Sequence, residues 1–302
     1  MRRGPGGCVV IPPEFDYVAP TSLDGALRLL GEAGEDAKLL AGGHSLIPLM
    51  KMRMAAPTLL IDLRHVADLH GVERRNGHWR VGALTRHAEL QARRDMGVVS
   101  EVAATIADQQ VRNRGTIGGS LAHGDAASDL PTALLAADGV VVARDLDGQR
   151  EIGAGELFVE YLTTTLKPTE IVTEVRLPAL TGYGHAYEKF ARRAEDWAMV
   201  GVCALVKRGD DGSCEDVRVA FTNMAPTPIR ATAVEERLRG QALNAHTIAR
   251  ASETAAEGTN PPADLNATPD YKRHLARVLT RRALTRAAED VRFSQAAEEA
   301  TR

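Results

Sequence analysis

Two double-glycine segments constrain this 302-residue chain more than any other feature: Ala41-Gly42-Gly43-His44-Ser45 and Thr116-Ile117-Gly118-Gly119-Ser120. Glycine pairs admit positive φ and the close approach of a second backbone or a ligand. The first segment ends a short apolar strand, Ala37 to Ala41. Successive exposed amides in such a turn form an anion-binding nest. The second segment repeats the recipe, with two glycines between hydroxyl side chains. Either segment alone reads as a turn. Together they can hold a pyrophosphate on neutral backbone dipoles, with little need for lysine.

Other nucleotide and catalytic signatures are missing. There is no G-x-G-x-x-G after a strand, and no G-x-x-x-x-G-K-[ST]. Neither H-E-x-x-H nor G-x-S-x-G occurs. His44 and Ser45 are adjacent, so they do not face each other productively, and a hydrolase triad is rejected. Lys and Arg number 37 against 40 Asp and Glu, a net charge of -3 that disfavours a nucleic-acid surface. No apolar run is long enough to span a membrane. The run behind Arg2-Arg3, Val9 to Ile11, is too short for a signal peptide, so a cytoplasmic protein is expected. The three cysteines, Cys8, Cys203 and Cys214, are scattered. They cannot supply the four thiolates of an iron–sulfur cluster, nor a structural zinc site. Any such cluster belongs to another chain, and no metal site is expected here.

The periodicity divides the chain into three stretches and a tail. Residues 1–62 carry a capped helix from Thr21-Ser22 to Gly34 and strands at Ala37–Ala41 and Thr58–Leu63. Residues 63–180 read as mixed strands and helices around the second glycine segment, taken as a loop from Arg114 to Ser120. Helix Leu130–Ala137 follows it, where Asp129 suits an N-cap. Residues 181–295 open at a hinge, Thr181-Gly182-Tyr183-Gly184. Three antiparallel strands then pack on helices, with Val217, Val219 and Phe221 alternating against Asp216 and Arg218. The last helix, Tyr271 to Val291, has a basic face suited to solvent or an interface. Residues 296–302 are expected to fray. On the residues alone, Lys189 suits a surface lysine and Trp197 suits interface core. The overall class is α+β.

Several segments, taken in order, resemble one family. Ala41 to Lys51, Thr116 to Asp125 and Ser128-Asp129-Leu130-Pro131 are similar to the two flavin loops of molybdenum hydroxylase medium subunits. This family includes the aerobic carbon monoxide dehydrogenases and their xanthine dehydrogenase relatives. Glu188 to Ala198, Thr222 to Pro228 and Tyr271-Lys272-Arg273 extend the likeness over nearly the whole chain. The resemblance is nearest to the carbon monoxide dehydrogenase medium chains.

The resemblance implies a two-subdomain FAD-binding fold of the vanillyl-alcohol oxidase and p-cresol methylhydroxylase type, closed by a C-terminal α+β domain. It implies cofactor contacts from Leu39, Leu40, Ala41, Gly42, Gly43, His44, Ser45 and Leu46. Thr116, Ile117, Gly118, Gly119 and Ser120 would form the second clamp, Ser120 replacing the asparagine common there. Asp129 would bind the nucleotide half, Val172 the adenine, and Lys189 and Trp197 the isoalloxazine. On this footing, Val at Gly43 or Gly119 abolishes FAD retention. Catalytic acid–base residues are not expected. Electrons would come from [2Fe-2S] clusters on a small subunit, reduced in turn by a molybdenum cofactor on a large subunit, and leave to a quinone or other acceptor. The implied assembly is a dimer of heterotrimers, at most peripheral to the inner face of the membrane. The readings from other classes are a self-contained flavin oxidase and a flavin-free scaffold.

Overall fold

The computed structural model describes the backbone of residues 11–301 and the side chains of residues 11–291. Arg2, Arg3, Cys8, Val9 and Val10 lie outside the described residues. The first unit is a small parallel sheet. Strands β1 (Asp16–Val18) and β2 (Ala37–Leu40) flank β3 (Leu59–Asp62), in the order β1-β3-β2. Helix α1 (Leu23–Ala33) covers it with Leu23, Ala26, Leu27 and Leu30. Its N-cap is Ser22, whose hydroxyl accepts from the Gly25 amide at 3.1 Å. Of the two cap-type residues Thr21 and Ser22, it is thus Ser22 that caps the helix. Gly34 ends the helix at φ 57°, where a side chain would be strained.

The second unit is built on an antiparallel sheet of β4 (Val72–Arg75), β5 (His78–Gly82), β6 (Val140–Arg144), β7 (Gln149–Gly153) and β10 (Ile171–Pro178). A short hairpin, β8 (Phe158–Glu160) and β9 (Thr163–Thr164), precedes β10. The sheet order is β4-β5-β10-β6-β7. Helices α2 (Leu46–Lys51), α3 (His87–Ala92), α4 (Val98–Ala104), α5 (Gln109–Arg112), α6 (Ile117–His123), α7 (Asp129–Ala136) and α8 (Ala154–Leu157) complete the two units.

The C-terminal unit holds β11 (Tyr183–Phe190), β12 (Val200–Arg208) and β13 (Cys214–Thr222) as a continuous antiparallel meander. Beyond the three strands expected, Ile229–Arg230 adds a two-residue fourth strand, β14. Helices α9 (Thr232–Leu238), α10 (Ala245–Ser252) and α11 (Pro269–Thr301) follow. Helix α11 continues through Thr301 rather than ending near Val291.

Why Val200 to Val206 is apolar throughout is now clear: β12 is buried on both faces. Val200, Val202, Ala204 and Val206 pack with α9, α10 and α11. Cys203 and Leu205 join the core of the second unit, together with Val99, Ala103, Leu134 and Tyr187. A strand covered on both sides needs no polar alternation. The sheet therefore lies between α11 and the helices α4 and α7.

Gly184 shows how tightly α11 is seated. A Cβ there would stand 2.0 Å from the Ala287 carbonyl oxygen and 2.6 Å from the Val291 amide. Neither atom can move without shifting the helix. Gly184→Ala is expected to destabilise the chain by about 3 kcal/mol, through backbone overpacking. The midpoint of urea unfolding checks it.

Candidate functional site

The two glycine segments meet, but they are not alike. A Cβ on Gly42 would stand 2.4 Å from the Arg114 carbonyl oxygen and 2.8 Å from Gly115 Cα. Gly42 is thus required so that the backbone before the second segment can touch the first. Gly43 has φ 80°, a conformation that L side chains rarely adopt. The amides of Gly42, Gly43, His44 and Ser45 have no hydrogen-bond partner among the described residues. These donors are free for a ligand, as an anion-binding nest would require.

The second segment is corrected by the structure. It is the capped start of α6, not a loop. Thr116 is the N-cap, its hydroxyl accepting from the Gly119 amide at 3.2 Å. The Ile117 amide donates to Thr85 O, the Gly118 amide to Ala83 O and the Ser120 amide to Thr116 O. All four amides are therefore spent inside the protein, and no nest is left for a ligand. Ile117 is 2% exposed and sits in the core. A Cβ on Gly118 would stand 2.6 Å from Ala83 Cβ, so this glycine lets α6 lie on the chain at Ala83. Only Gly119 faces the first segment, with Ala41 Cβ at 3.7 Å from its own missing Cβ. The hydroxyls of Thr116 and Ser120 retain donor capacity.

Asp129, Lys189 and Tyr187 form one buried cluster. Lys189 Nζ lies 2.9 Å from Asp129 Oδ2, their side chains 8% and 4% exposed. It also donates to Thr105 O at 3.1 Å. The Tyr187 hydroxyl donates to Asp129 Oδ1 at 2.6 Å and lies 3.1 Å from Thr222 Oγ1, itself 2.7 Å from Thr132 Oγ1. Burial lifts the Asp129 carboxyl, and Lys189 and Tyr187 pull it the other way. Burial, then Asp129, push Tyr187 well above its ordinary range. The N-cap of α7 is Ser128, so Asp129 does not cap the helix. Both carboxylate oxygens of Asp129 are engaged across the unit boundary rather than held out to a ribose. Nor is Lys189 a surface lysine. Sequence reasoning missed Tyr187 and Thr105 as partners, because nothing local marks them.

The remaining sequence-predicted residues divide by burial. Val172 and Leu40 are core side chains, each 7% exposed. Leu39 and Leu46 are half-buried and His44 is exposed. Trp197 is 58% exposed, in the loop between β11 and β12, so it is not interface core. Of the basic residues of α11, Arg281 and Arg282 are exposed. Arg286, also exposed, joins the units, donating to Glu101 and Glu188 at 2.6 Å each.

A further buried group, His87, lies beneath the paired segments. Its amide donates to Gly115 O at 3.0 Å, and its Nδ1 is buried without a partner. Burial, then His44 and Arg112, pull its pKa down to about 4, so the imidazole is neutral at pH 7. Because the folded value lies below the ordinary 6.5, the unfolded chain takes up the proton first. Stability is then lost as pH falls through that window, by about 3 kcal/mol at most. Urea midpoints taken across it check this, and His87→Leu should flatten the slope.

Free amides, a positive-φ glycine and neighbouring hydroxyls, set between two α/β units, are the features of a nucleotide-cofactor protein. Buried acid–base pairs in it serve the fold, and the described residues hold no group of three or more His, Cys, Asp or Glu fit for a metal. Comparison with known proteins specifies the class. Residues 13–180 match the FAD binding domain in molybdopterin dehydrogenase, and residues 185–287 match the CO dehydrogenase flavoprotein C-terminal domain. The chain belongs to this family of FAD-binding molybdopterin dehydrogenase subunits.

Among its relatives is subunit alpha of the 6-hydroxypseudooxynicotine dehydrogenase complex of Paenarthrobacter nicotinovorans. That protein is 40% identical, over 93% of this chain and 97% of its own. The carbon monoxide dehydrogenase medium chain of Hydrogenophaga pseudoflava is also 40% identical, over 92% of this chain and 98% of its own. The solved carbon monoxide dehydrogenase from Hydrogenophaga pseudoflava, a form lacking the Mo-pyranopterin moiety of its cofactor, superposes with a TM-score of 0.88 at 40% identity. It covers 92% of this chain and 98% of the matched one. The protein is an oxidoreductase subunit whose cofactor is FAD.

Proposed function

We propose that this chain is the FAD-bearing medium subunit of a carbon monoxide dehydrogenase-like molybdenum hydroxylase. The observation that carries the reading is the turn at Gly42 to Ser45, with its free amides held against the second glycine segment. FAD, when bound, accepts electrons one at a time from iron–sulfur clusters and passes them on in pairs. The chain's own part is to bind and place it. The amides of Gly42, Gly43, His44 and Ser45 would take the pyrophosphate. The hydroxyls of Thr116 and Ser120 would close on it from α6. Leu39, Leu40 and Leu46 would shape the turn, and Ile117 and Gly118 would seat α6 from behind. Trp197, exposed beside β12, is free to lie against a flavin ring. Asp129 and Lys189 would act from beneath, by fixing the C-terminal unit to the helices that frame the cleft.

The partners in this reading are a large molybdenum subunit and a small subunit with [2Fe-2S] clusters, assembled as a dimer of heterotrimers. The acceptor is a quinone or another oxidant. Such a complex would work in the cytoplasm, meeting the inner face of the membrane through the assembly. The described residues contain no helix long and apolar enough to cross a membrane.

Carbon monoxide is the first substrate to test, given the medium chain likeness. A second reading, an N-heterocycle dehydrogenase, is favoured by the equal identity to the 6-hydroxypseudooxynicotine dehydrogenase subunit. Affinity purification from native cells, with a visible spectrum and metal analysis, tests the reading. Flavin, iron and molybdenum arriving with two further chains would support it, and a substrate panel would then separate the two complexes. A lone yellow protein without metals would point to a free flavin oxidase. A colourless chain in an active complex would point to a scaffold.

A further inference from the structure

We propose that His87 is a positioning residue for FAD: its neutral imidazole props Gly115 against Gly42, and protonating it releases the cofactor. The inference rests on the flavin reading above. The geometry is a three-layer stack. Gly42 lies against Arg114 and Gly115, with no room for a Cβ between them. On its other side, Gly115 lies against the His87 ring. A Cβ on Gly115 would stand 2.6 Å from the ring's Cδ2 and 2.7 Å from its Nε2. The His87 amide ties the layers by its bond to Gly115 O. The neighbouring bridge between Arg86 and Thr116 carries the same register to the cap of α6. Removing the ring would leave the second segment without backing, and the turn bearing the free amides without its wall.

The ring can do this only while neutral. In the imidazolium both ring nitrogens donate, and Nδ1 is buried with no partner to accept. The groups whose influence disfavours a charged ring are His44 from the first segment and the Arg112 guanidinium from α5. The acids on the elements packed around it are already engaged. Glu89, on its own helix, accepts from the Arg86 amide. Asp95, in the turn after α3, is paired with Arg93, and Glu101, on α4, with Arg286. Asp108, before α5, accepts from the Val111 amide. A charged His87, beside the Arg112 guanidinium and with no free acid to pair with, would therefore disturb its packing against Gly115.

The test is a fluorescence titration of the full chain with FAD, with far-UV circular dichroism on the same samples. At neutral pH, His87→Ala is expected to weaken FAD binding about tenfold or more. His87→Leu refills the space of Nδ1 and Cδ2 without a titrating group. It should restore binding to within about threefold. As pH falls through about 4, the wild type should release FAD before it unfolds, while His87→Leu keeps it. A folded His87→Ala with wild-type affinity would overturn the proposal. So would His87→Leu releasing FAD over the same pH window, or a wild type that holds FAD until it unfolds. If His87→Ala fails to fold, the leucine variant and the wild-type pH series decide. A folded wild type that binds no FAD at neutral pH would overturn the flavin reading itself, and this inference with it.

Discussion

Replacing Asp129 with alanine is expected to destabilise the protein by about 3–5 kcal/mol, the usual cost of breaking a buried ion pair from one side. The Lys189 ammonium, 8% exposed, would keep only the Thr105 carbonyl. The Tyr187 hydroxyl would lose its shorter bond and keep Thr222. The cost comes mostly from the charge left behind rather than from the bond removed. Hence Asp129→Leu combined with Lys189→Met should recover much of the loss, although each alone is severe. Gly201 belongs to the same cluster. A Cβ there would stand 2.4 Å from the Tyr187 hydroxyl oxygen. Urea midpoints of the two single variants and the double variant measure the coupling. A midpoint for Asp129→Ala equal to wild type would remove this cluster from the account of stability.

The second large effect is expected at Gly42. Valine there would meet the Arg114 carbonyl and Gly115 Cα, both backbone, with the His87 ring behind them. The two segments would have to part, and FAD affinity should fall by about a hundredfold or more, about 2.7 kcal/mol. Gly43→Val should also act strongly, through its φ of 80°. Gly119→Val should be milder than the sequence alone suggests. Its Cβ would press on the Thr116 hydroxyl at 2.8 Å, and a hydroxyl can swing aside. What is lost there is chiefly a helix cap, about 1 kcal/mol. Flavin fluorescence titrations of the three variants rank them. Equal losses at Gly42 and Gly119 would contradict the structural distinction between the segments.

That distinction marks the limit of what residue patterns convey. The first glycine segment was legible because an apolar strand runs straight into it. The second was misread as a loop because glycine is a poor helix former and two in succession suggest a turn. Thr116 and the close seat on Ala83 override that local preference. The antiparallel meander was legible from the alternation of Val217, Val219 and Phe221. The pairing of Asp129 with Lys189 was not, since 60 residues separate them and each has an adequate local explanation. His87 was passed over for the same reason. A histidine near the start of a helix announces nothing until the backbone it supports is seen.

The double coverage of the C-terminal sheet also bears on how the chain is made. Helices α4 and α7 leave the ribosome well before β11, β12 and β13, the strands that cover them. Until those strands arrive, Val99, Ala103 and Leu134 present apolar surface to solvent. Synthesis from the N-terminus thus leaves a sticky intermediate whose lifetime is set by translation of the last third. Chains stalled or truncated before β13 should be clients of chaperones and proteases, even though both glycine segments are already complete.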